Sequence, residues 1–195
     1  VLTPSLLGIV FAFGLRIFVI EAFKMPSGSM FPSLVVGDHF FVQKSAYGLF
    51  VKSLPARGDI VVFQYPEPSS PPVDYVKRVI GLPGDELVFK SGVPFINGWE
   101  VPRCALGNAS DNEPGGPRVD YDVFVEFLEG AAYIVTLERE RDEGTQGPYR
   151  VEPGEFWVVG DNRNNSEDSR WWSCLPAQNL AGKAFLIWMS WKGWG

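Results

Sequence analysis

The sequence predicts a mostly β fold: an antiparallel β-sheet core, a smaller β subdomain inserted into it, and an apolar helix before it. The 195 residues are enough for one domain with a sizeable core or one domain with a large insertion. The 21 Gly and 16 Pro, together with 15 Phe and 7 Trp, are typical of many short strands joined by turns. Short apolar runs recur between turn signals, so we expect few long helices.

The N-terminal segment is apolar. Residues 1–15 carry no charge, and Arg16 is followed by a second apolar run that ends at Ile20. Because a helix needs about 20 residues to cross the hydrocarbon core, this segment spans a bilayer only if the Arg16 side chain reaches an interface. We therefore expect residues 1–22 to form a transmembrane helix or its end. A cleaved secretory signal and a buried helix are the alternatives.

Eight runs have the composition and alternation of β-strands. They are residues 40–43, 60–64, 75–80, 87–89, 123–127, 133–137, 156–159 and 184–189. The stretch 92–152 has the most polar loops and none of the candidate reactive residues described below. We therefore predict a core of residues 23–91 and 153–195, with residues 92–152 as an inserted β subdomain.

Charge and composition disfavour two classes of function. The net charge is −6 and the basic residues are scattered, so we expect no nucleic-acid partner. The two cysteines, Cys104 and Cys174, lack metal-ligand spacing, and His39 is the one histidine, so we expect no metal and no cofactor. The cysteines could form a disulfide or stay free, and the sequence leaves both possibilities open.

A candidate nucleophile follows the apolar segment. In the segment PSGSM, residues 26–30, Ser27 and Ser29 flank a glycine, which favours a tight turn with a hydroxyl exposed beside backbone N–H donors. Ordinary loops also collect serine and glycine. A serine nucleophile needs a base, but the position of His39 is more typical of a strand-edge histidine than of a catalytic one.

Lys77 is the candidate base. Alternation in the run 74–80 places it on the same apolar face as Tyr75 and Val79. A free lysine has a pKa of about 10.4, so only about one in 2,500 would be neutral near pH 7, and burial lowers the pKa by disfavouring the charged form. The alternative is a surface lysine paired with a nearby carboxylate such as Asp74.

A third cluster, GDNRNNSEDSR at residues 160–170, directly follows the strand-like run 156–159. Its side chains can order a loop by bonding to the backbone and to each other. Two Asp/Arg couples could form ion pairs, and one serine could bond a buried amine. The couples are Asp161 with Arg163 and Asp168 with Arg170, and the serine is Ser166. The alternative is a solvated turn.

Together the three clusters resemble type I signal peptidases, the membrane-bound Ser/Lys proteases that remove signal peptides from exported proteins. The similar segments occur in the family's order. They are PSGSMFPSL (26–34), RGDIVVF (57–63), DYVKRVIGLPGD (74–85), GDNRNNSEDSR (160–170), and further matches at 182–184 and 187–190. The resemblance covers nearly the whole chain except about residues 99–150.

The resemblance implies roles for individual residues. Ser29 would be the nucleophile and Lys77 the general base, which Ser166 would orient by a hydrogen bond. The backbone N–H of Ser29 and the hydroxyl of Ser27 would form the oxyanion hole. The loop would be held in place by four charged residues, Asp161, Arg163, Asp168 and Arg170.

The resemblance also implies a substrate site. Signal peptides end in small residues at positions −1 and −3, in an Ala-x-Ala-like pattern, and would bind as an extended strand along the Met25 and Tyr75 segments. The shallow apolar pockets would be lined by Phe23, Met25, Leu34, Tyr75 and Val76. Strict alternation places Val76 on the face opposite Lys77, so we expect a twist or bulge there, or a contribution from its backbone.

The implied protein is a monomer in the bacterial plasma membrane, with its catalytic domain on the outer, extracytoplasmic side and signal peptides and membrane lipid as partners. The chain departs from the family pattern at Asn164, where aspartate is common, and at Ser173-Cys174, where glycine is usual after the aromatic pair. Two alternatives stay open: a self-cleaving repressor of the LexA type, which needs a DNA-binding domain, and a membrane-tethered β domain that binds partners without catalysis.

Overall fold

The computed structural model describes residue 8 and residues 19–47, 53–67, 71–112 and 118–191. Most of the predicted transmembrane segment therefore lies outside the described residues. The end of that prediction is wrong, because Ile20–Lys24 is a strand whose backbone pairs with residues 39–43. Of the helices in the described ranges, none has the length and apolar character needed to cross a membrane.

The described residues include fourteen strands and one short α-helix, together with the 3-10 turns Gly28–Met30, Lys44–Ala46 and Ala177–Asn179. The strands are β1 (Ile20–Lys24), β2 (Asp38–Gln43), β3 (Ile60–Gln64), β4 (Asp74–Gly81), β5 (Glu86–Lys90), β6 (Val93–Ile96), β7 (Trp99–Glu100), β8 (Arg103–Asn112), β9 (Arg118–Leu128), β10 (Ala131–Glu138), β11 (Thr145–Arg150), β12 (Glu155–Val159), β13 (Leu175–Pro176) and β14 (Leu180–Ser190). The helix is α1 (Ser169–Trp172). All eight predicted runs fall within strands, and the predicted mostly antiparallel β fold is confirmed.

The largest sheet has seven strands in the order β1-β2-β14-β3-β4-β12-β13. Its centre is the antiparallel pair β3 and β4, in which Val61 lies opposite Lys77 and Val62 lies opposite Val76. Because neighbouring residues of a strand face opposite sides, the sheet presents Lys77 on one face and Val76 on the other.

Two smaller sheets are built mainly from the stretch predicted as an insertion. One has the order β10-β9-β8 and the other β11-β5-β6-β7. Strand β5 pairs with β6 and β11 although the sequence prediction assigned it to the core. The exact division into core and insertion stays a prediction.

Three buried apolar clusters hold the sheets together. The first joins Ile80 and Trp157 of the main sheet to Leu87 and Val135 of the smaller sheets. The other two lie on opposite faces of β4. Their buried members are Met25, Met30, Leu34, Phe40, Val42, Val62 and Val76 on one face, and Val61, Phe63, Val79, Phe156, Val158, Trp172 and Leu175 on the other. Strand β4 is therefore covered on both sides by apolar side chains.

Candidate active site

Ser29 lies in a short 3-10 turn, Gly28–Met30, preceded by Ser27 in an extended conformation. Buried Met30 anchors the turn in the cluster that contains Val76, and Ser29 is only 9% exposed. The Oγ atoms of Ser27 and Ser29 are 3.3 Å apart. The first N–H groups of a helical turn have no acceptor within the turn, so the N–H of Ser29 is suited to binding an anion.

Lys77 meets this turn from β4. Its Nζ lies 2.8 Å from Ser29 Oγ and 3.1 Å from the carbonyl oxygen of Val76. The residue is 4% exposed, so the alternative of a surface lysine is wrong. Burial lowers the pKa of Lys77 from 10.5 to about 8, and the negative charge of Asp168 opposes that shift. Within the described part of the chain, no carboxylate lies within ion-pair distance of Nζ.

The loop 160–170 is held by buried ion pairs, but one predicted pairing is wrong. Asp168 does pair with Arg170, with 2.8 Å between Oδ1 and Nε. Asp161 instead accepts two hydrogen bonds from Arg78 of β4, at 2.7 and 2.6 Å. Arg163 pairs with a carboxylate from β9, and both side chains are fully buried. Asp161 and Arg163 thus pair with residues of distant strands rather than with each other.

The carboxylate that pairs with Arg163 is Glu126. Neither Glu126 nor Arg78 was among the residues predicted from the sequence. A charged residue in the otherwise apolar run 123–127 was the available signal, since a buried carboxylate needs a partner. The residues of the predicted insertion thus contribute to holding the loop beside the dyad.

Ser166 does not make the predicted hydrogen bond to Lys77. Its Oγ is buried and has no hydrogen-bond partner among the described residues. The serine nevertheless packs close to the nucleophile, because a Cβ added to Gly160 would lie 2.3 Å from Ser166 Oγ and 2.4 Å from the carbonyl oxygen of Ser29. Only a glycine at position 160 allows these two segments to approach so closely.

A cleft of about 610 Å³ runs past the dyad. It is lined by Met25, Pro26, Ser27, Gly28, Ser29, Val73, Asp74, Tyr75, Val76, Lys77, Asn165 and Glu167. Three predicted pocket residues, Met25, Tyr75 and Val76, are in this lining. Phe23 and Leu34 are not, because they pack into the apolar cluster behind Met25.

The Val76 side chain lies on the face of β4 opposite Lys77, as strict alternation predicts. The pairing of β3 with β4 is regular from Ile60 to Gln64, so no bulge turns Val76 toward the Lys77 face. Its side chain belongs to the cluster with Met25, while its carbonyl oxygen accepts a hydrogen bond from Lys77. Val76 therefore contributes its backbone on the Lys77 side.

Sequence reasoning missed the polar wall of the cleft. Asp74, Asn165 and Glu167 line it, and the Tyr75 hydroxyl donates a hydrogen bond to Glu167 at 3.1 Å. Burial and the Glu167 charge raise the pKa of Tyr75 to about 12. The tyrosine therefore remains a neutral donor that ties β4 to the loop 160–170.

The remaining candidates lie outside the cleft lining. His39 is a half-buried residue of β2 whose ring is 5.5 Å from that of Trp188. Cys104 and Cys174 are both free thiols. Both departures from the family pattern have structural roles: Asn164 bonds both the N–H and the carbonyl of Glu138, and Ser173 ends α1 with φ 75° and ψ −154°.

Comparison with known proteins adds a second line of evidence. A family described as "Signal peptidase, peptidase S26" matches residues 2–191. The chain is 39% identical over 198 residues to the Signal peptidase I of Pseudomonas fluorescens, covering 91% of this chain and 67% of the relative. It is 38% identical over 205 residues to that of Pseudomonas aeruginosa, with the same coverage. A crystal structure of a signal peptidase I from Enterococcus faecalis matches at 25% identity with a TM-score of 0.39, covering 67% of this chain and 97% of that one.

Proposed function

This chain belongs to the signal peptidase I family, peptidase S26, and cleaves signal peptides from preproteins, and we propose that Ser29 and Lys77 are its catalytic dyad. The observation that carries the proposal is the distance of 2.8 Å between Lys77 Nζ and Ser29 Oγ at the base of a cleft. The match to the family model covers almost the whole chain. The assignment of roles to these two residues is our inference from their contact, burial and chemistry.

In the first half of the reaction, neutral Lys77 accepts the hydroxyl proton of Ser29. The Ser29 oxygen attacks the carbonyl carbon of the residue before the cut, forming a tetrahedral intermediate. With a pKa of about 8, roughly one Lys77 in ten is neutral at pH 7. The lysine then returns the proton to the leaving amine, and the peptide C–N bond breaks. The mature protein departs, and the signal peptide remains as an ester on Ser29.

The negative oxygen of the intermediate needs hydrogen-bond donors. We assign this role to the backbone N–H of Ser29 and the hydroxyl of Ser27, whose Oγ is 3.3 Å from Ser29 Oγ and exposed to the cleft. Losing one donor of this kind typically lowers the rate by about 10²–10³-fold.

The second half of the reaction removes the ester. Lys77 is again neutral after protonating the leaving amine, and it accepts a proton from water as that water attacks the ester carbonyl. The ester bond breaks, and the proton passes to Ser29 Oγ. The unpartnered Ser166 Oγ lies beside the backbone of Ser29, and we propose that it bonds the Lys77 amine when substrate or water rearranges the site.

The cleft supports a preference for small side chains before the cut. An extended peptide between the segments of Met25 and Tyr75 would reach Ser29 with its backbone, as in strand addition. Buried Met25 and Val76 leave little depth beneath that path. We propose that they select small residues at position −1, and that Phe23 and Leu34 act indirectly by packing behind Met25.

An exposed apolar surface supports attachment to a membrane. Within β14 and just after it, five large apolar side chains are 44–52% exposed: Phe185, Leu186, Ile187, Trp188 and Trp191. Their strand pairs with β2, which also pairs with β1, the strand that follows the apolar N-terminal segment. We propose that the N-terminal segment anchors the chain in the bacterial plasma membrane and that this surface contacts lipid on the outer side.

Cleavage of a purified preprotein tests the proposed dyad. We expect Ser29→Ala to abolish cleavage while the variant keeps its folded structure, measured by circular dichroism and thermal unfolding. Ser45→Ala, in the half-buried 3-10 turn Lys44–Ala46 outside the cleft lining, is the matched control and should retain activity. In rapid-quench experiments the unmodified protein should form an ester on Ser29 with the mass of the signal peptide. A folded Ser29→Ala variant that still cleaves would refute the assignment.

A further inference from the structure

The peptide unit between Gly28 and Ser29 carries the proposed oxyanion donor. This bond is not among the cis peptides of the described residues, and in a trans peptide the C=O and N–H point in opposite directions. Whatever holds the Gly28 carbonyl therefore also aims the Ser29 N–H. We propose that Asn162 is a positioning residue that holds this carbonyl and so keeps the Ser29 N–H directed at the oxyanion. The inference rests on the proposed role of that N–H.

Asn162 bonds two consecutive carbonyls of the nucleophile turn. Its Nδ2 donates to the Gly28 oxygen at 3.2 Å, and its backbone N–H donates to the Ser29 oxygen at 3.1 Å. The Gly28 oxygen also accepts from the N–H of Phe31 at 3.0 Å, so both of its lone pairs are used. A rotated peptide unit would lose these bonds and direct the carbonyl, rather than the N–H, at the reacting oxygen.

The turn needs such a restraint because Gly28 has no Cβ. Glycine visits conformations closed to other residues, so the Gly28–Ser29 peptide can rotate at lower cost than most. The backbone on both sides of Asn162 is held by Thr136 of β10. Thr136 donates its N–H to the Asp161 carbonyl and accepts from the N–H of Arg163, each at 2.9 Å. The hydrogen bond that restrains Gly28 is thus anchored, through Asn162 and its neighbours, to strand β10.

The side chain of Asn162 is only half satisfied by hydrogen bonds. The residue is 1% exposed, and its Oδ1 has no hydrogen-bond partner among the described residues. The opposite orientation of the amide would place two acceptors, Oδ1 and the Gly28 oxygen, against each other. A buried unpaired oxygen is costly and calls for an explanation, and the bond from Nδ2 to the nucleophile turn supplies one.

Asn164 is the matched control, because it is a buried asparagine of the same loop whose amide is satisfied at both ends. Its Oδ1 accepts from the Glu138 N–H at 2.7 Å, and its Nδ2 donates to the Glu138 carbonyl at 2.8 Å. None of these groups belongs to the nucleophile turn. Removing the Asn164 amide should therefore lower the unfolding temperature, whereas removing the Asn162 amide should mainly lower the rate.

The test measures preprotein cleavage and unfolding for Asn162→Ala, Asn162→Asp and Asn164→Ala. We expect Asn162→Ala to lower kcat by about 10- to 100-fold with KM changed less than about 3-fold. Asn162→Asp should lower it at least as much, because a carboxylate oxygen would face the Gly28 oxygen. In Asn162→Ala the apparent pKa of the base should not move, since Asn162 is uncharged and does not contact Lys77 Nζ. Asn164→Ala should keep kcat within about 3-fold of that of the unmodified protein. It should lower the unfolding temperature more than Asn162→Ala does.

Inhibitor binding gives a readout that loss of structure would not produce. A peptide aldehyde that forms a hemiacetal with Ser29 needs the oxyanion donors, whereas the matching peptide amide does not. We expect Asn162→Ala to weaken binding of the aldehyde by the same factor as kcat/KM and to leave binding of the amide unchanged. Asn162→Asp keeps the size of the side chain and decides the question if the alanine variant does not fold.

Three results would overturn the inference: unchanged kcat in both folded Asn162 variants, equal losses of kcat in Asn162→Ala and Asn164→Ala, or a shifted base pKa in Asn162→Ala. Each of these leaves the dyad intact provided that Ser29→Ala is inactive. If Ser29→Ala is active, the proposed function itself has failed. The two failures are therefore distinguishable in one series of variants.

Discussion

Lys77 and Lys183 lie on the same face of the main sheet, but Lys77 is buried and Lys183 is partly exposed. Val61 of β3 lies opposite Lys77 on one side and opposite Lys183 of β14 on the other. Directly opposed residues share a face, and two strand spacings separate these lysines by about 10 Å. The Lys183 side chain is 41% exposed and pairs with Asp59 at 2.5 Å. Lys77 is buried beside Ser29, so its surroundings rather than its residue type make it a candidate base.

Removing the amine of Lys77 should have the largest effect on cleavage, and removing that of Lys183 is the matched comparison. We expect Lys77→Met to lower kcat by about 10³-fold or more, because no other base contacts Ser29 Oγ in the described site. Lys183→Met should keep activity and change the free energy of unfolding by less than about 1 kcal/mol, as for other partly exposed ion pairs. Preprotein cleavage and chemical denaturation measure both. Equal losses of activity would remove the distinction between the two lysines.

The contrast between exposed and buried charge extends to the loop beside Lys77. Glu126→Gln leaves the fully buried Arg163 without its carboxylate, and we expect it to lower the free energy of unfolding by about 3–5 kcal/mol. Glu129→Gln removes a carboxylate that is 60% exposed and pairs with Arg57, so the expected loss is below about 1 kcal/mol. Denaturant unfolding of the two variants gives the comparison. A Glu126→Gln loss no larger than that of Glu129→Gln would contradict the importance of burial.

The pH dependence of cleavage also distinguishes Lys77 from Lys183. Because only neutral Lys77 accepts the serine proton, kcat/KM should rise about tenfold per pH unit below its pKa and level off above about 8. The pKa of Lys77 is lowered on folding, so the unfolded chain binds more protons between about pH 8 and 10.5, and this lysine makes stability rise with pH over that window. Lys183→Met should leave the midpoint of the activity profile in place. A midpoint near 10 would exclude a buried base.

The smallest predicted effect concerns backbone strain at the end of α1. Ser173 has φ 75° and ψ −154°, a region that is essentially restricted to glycine and costs other residues about 1–3 kcal/mol. We expect Ser173→Gly to raise the free energy of unfolding by about 1 kcal/mol without changing cleavage. Ser91, with φ 47°, lies nearer the ordinary left-handed region and is the control, with a smaller expected gain for Ser91→Gly. Thermal unfolding would refute the prediction if Ser173→Gly were less stable than the unmodified protein.

The sequence predicted eight of the fourteen strands in the described residues, and the ten-residue strand β8 is among those it missed. Residues 60–64 were predicted as a strand with the bounds of β3, because their apolar run is bracketed by polar residues. Strands β7 and β13 have two residues each, too few to show a period of two, and both are defined by their partners across the sheet. Strand β1 was hidden because its apolar residues continue the pattern of the preceding segment. Its pairing with β2, and not its composition, makes it a strand.

The sequence by itself determined that Lys77 lies on an apolar face and that Ser29 occupies a turn next to a second serine, because alternation and turn chemistry are local properties. Tertiary structure decided what those residues contact. It buried Lys77, which lowers the pKa, and it brought the Lys77 amine to 2.8 Å from Ser29 Oγ. It also chose Arg78 and Glu126 as the partners of the loop charges and set Asn162 against the nucleophile turn. Spacing along the chain does not encode these contacts, since burial and charge pairing depend on segments that meet only when the sheets pack.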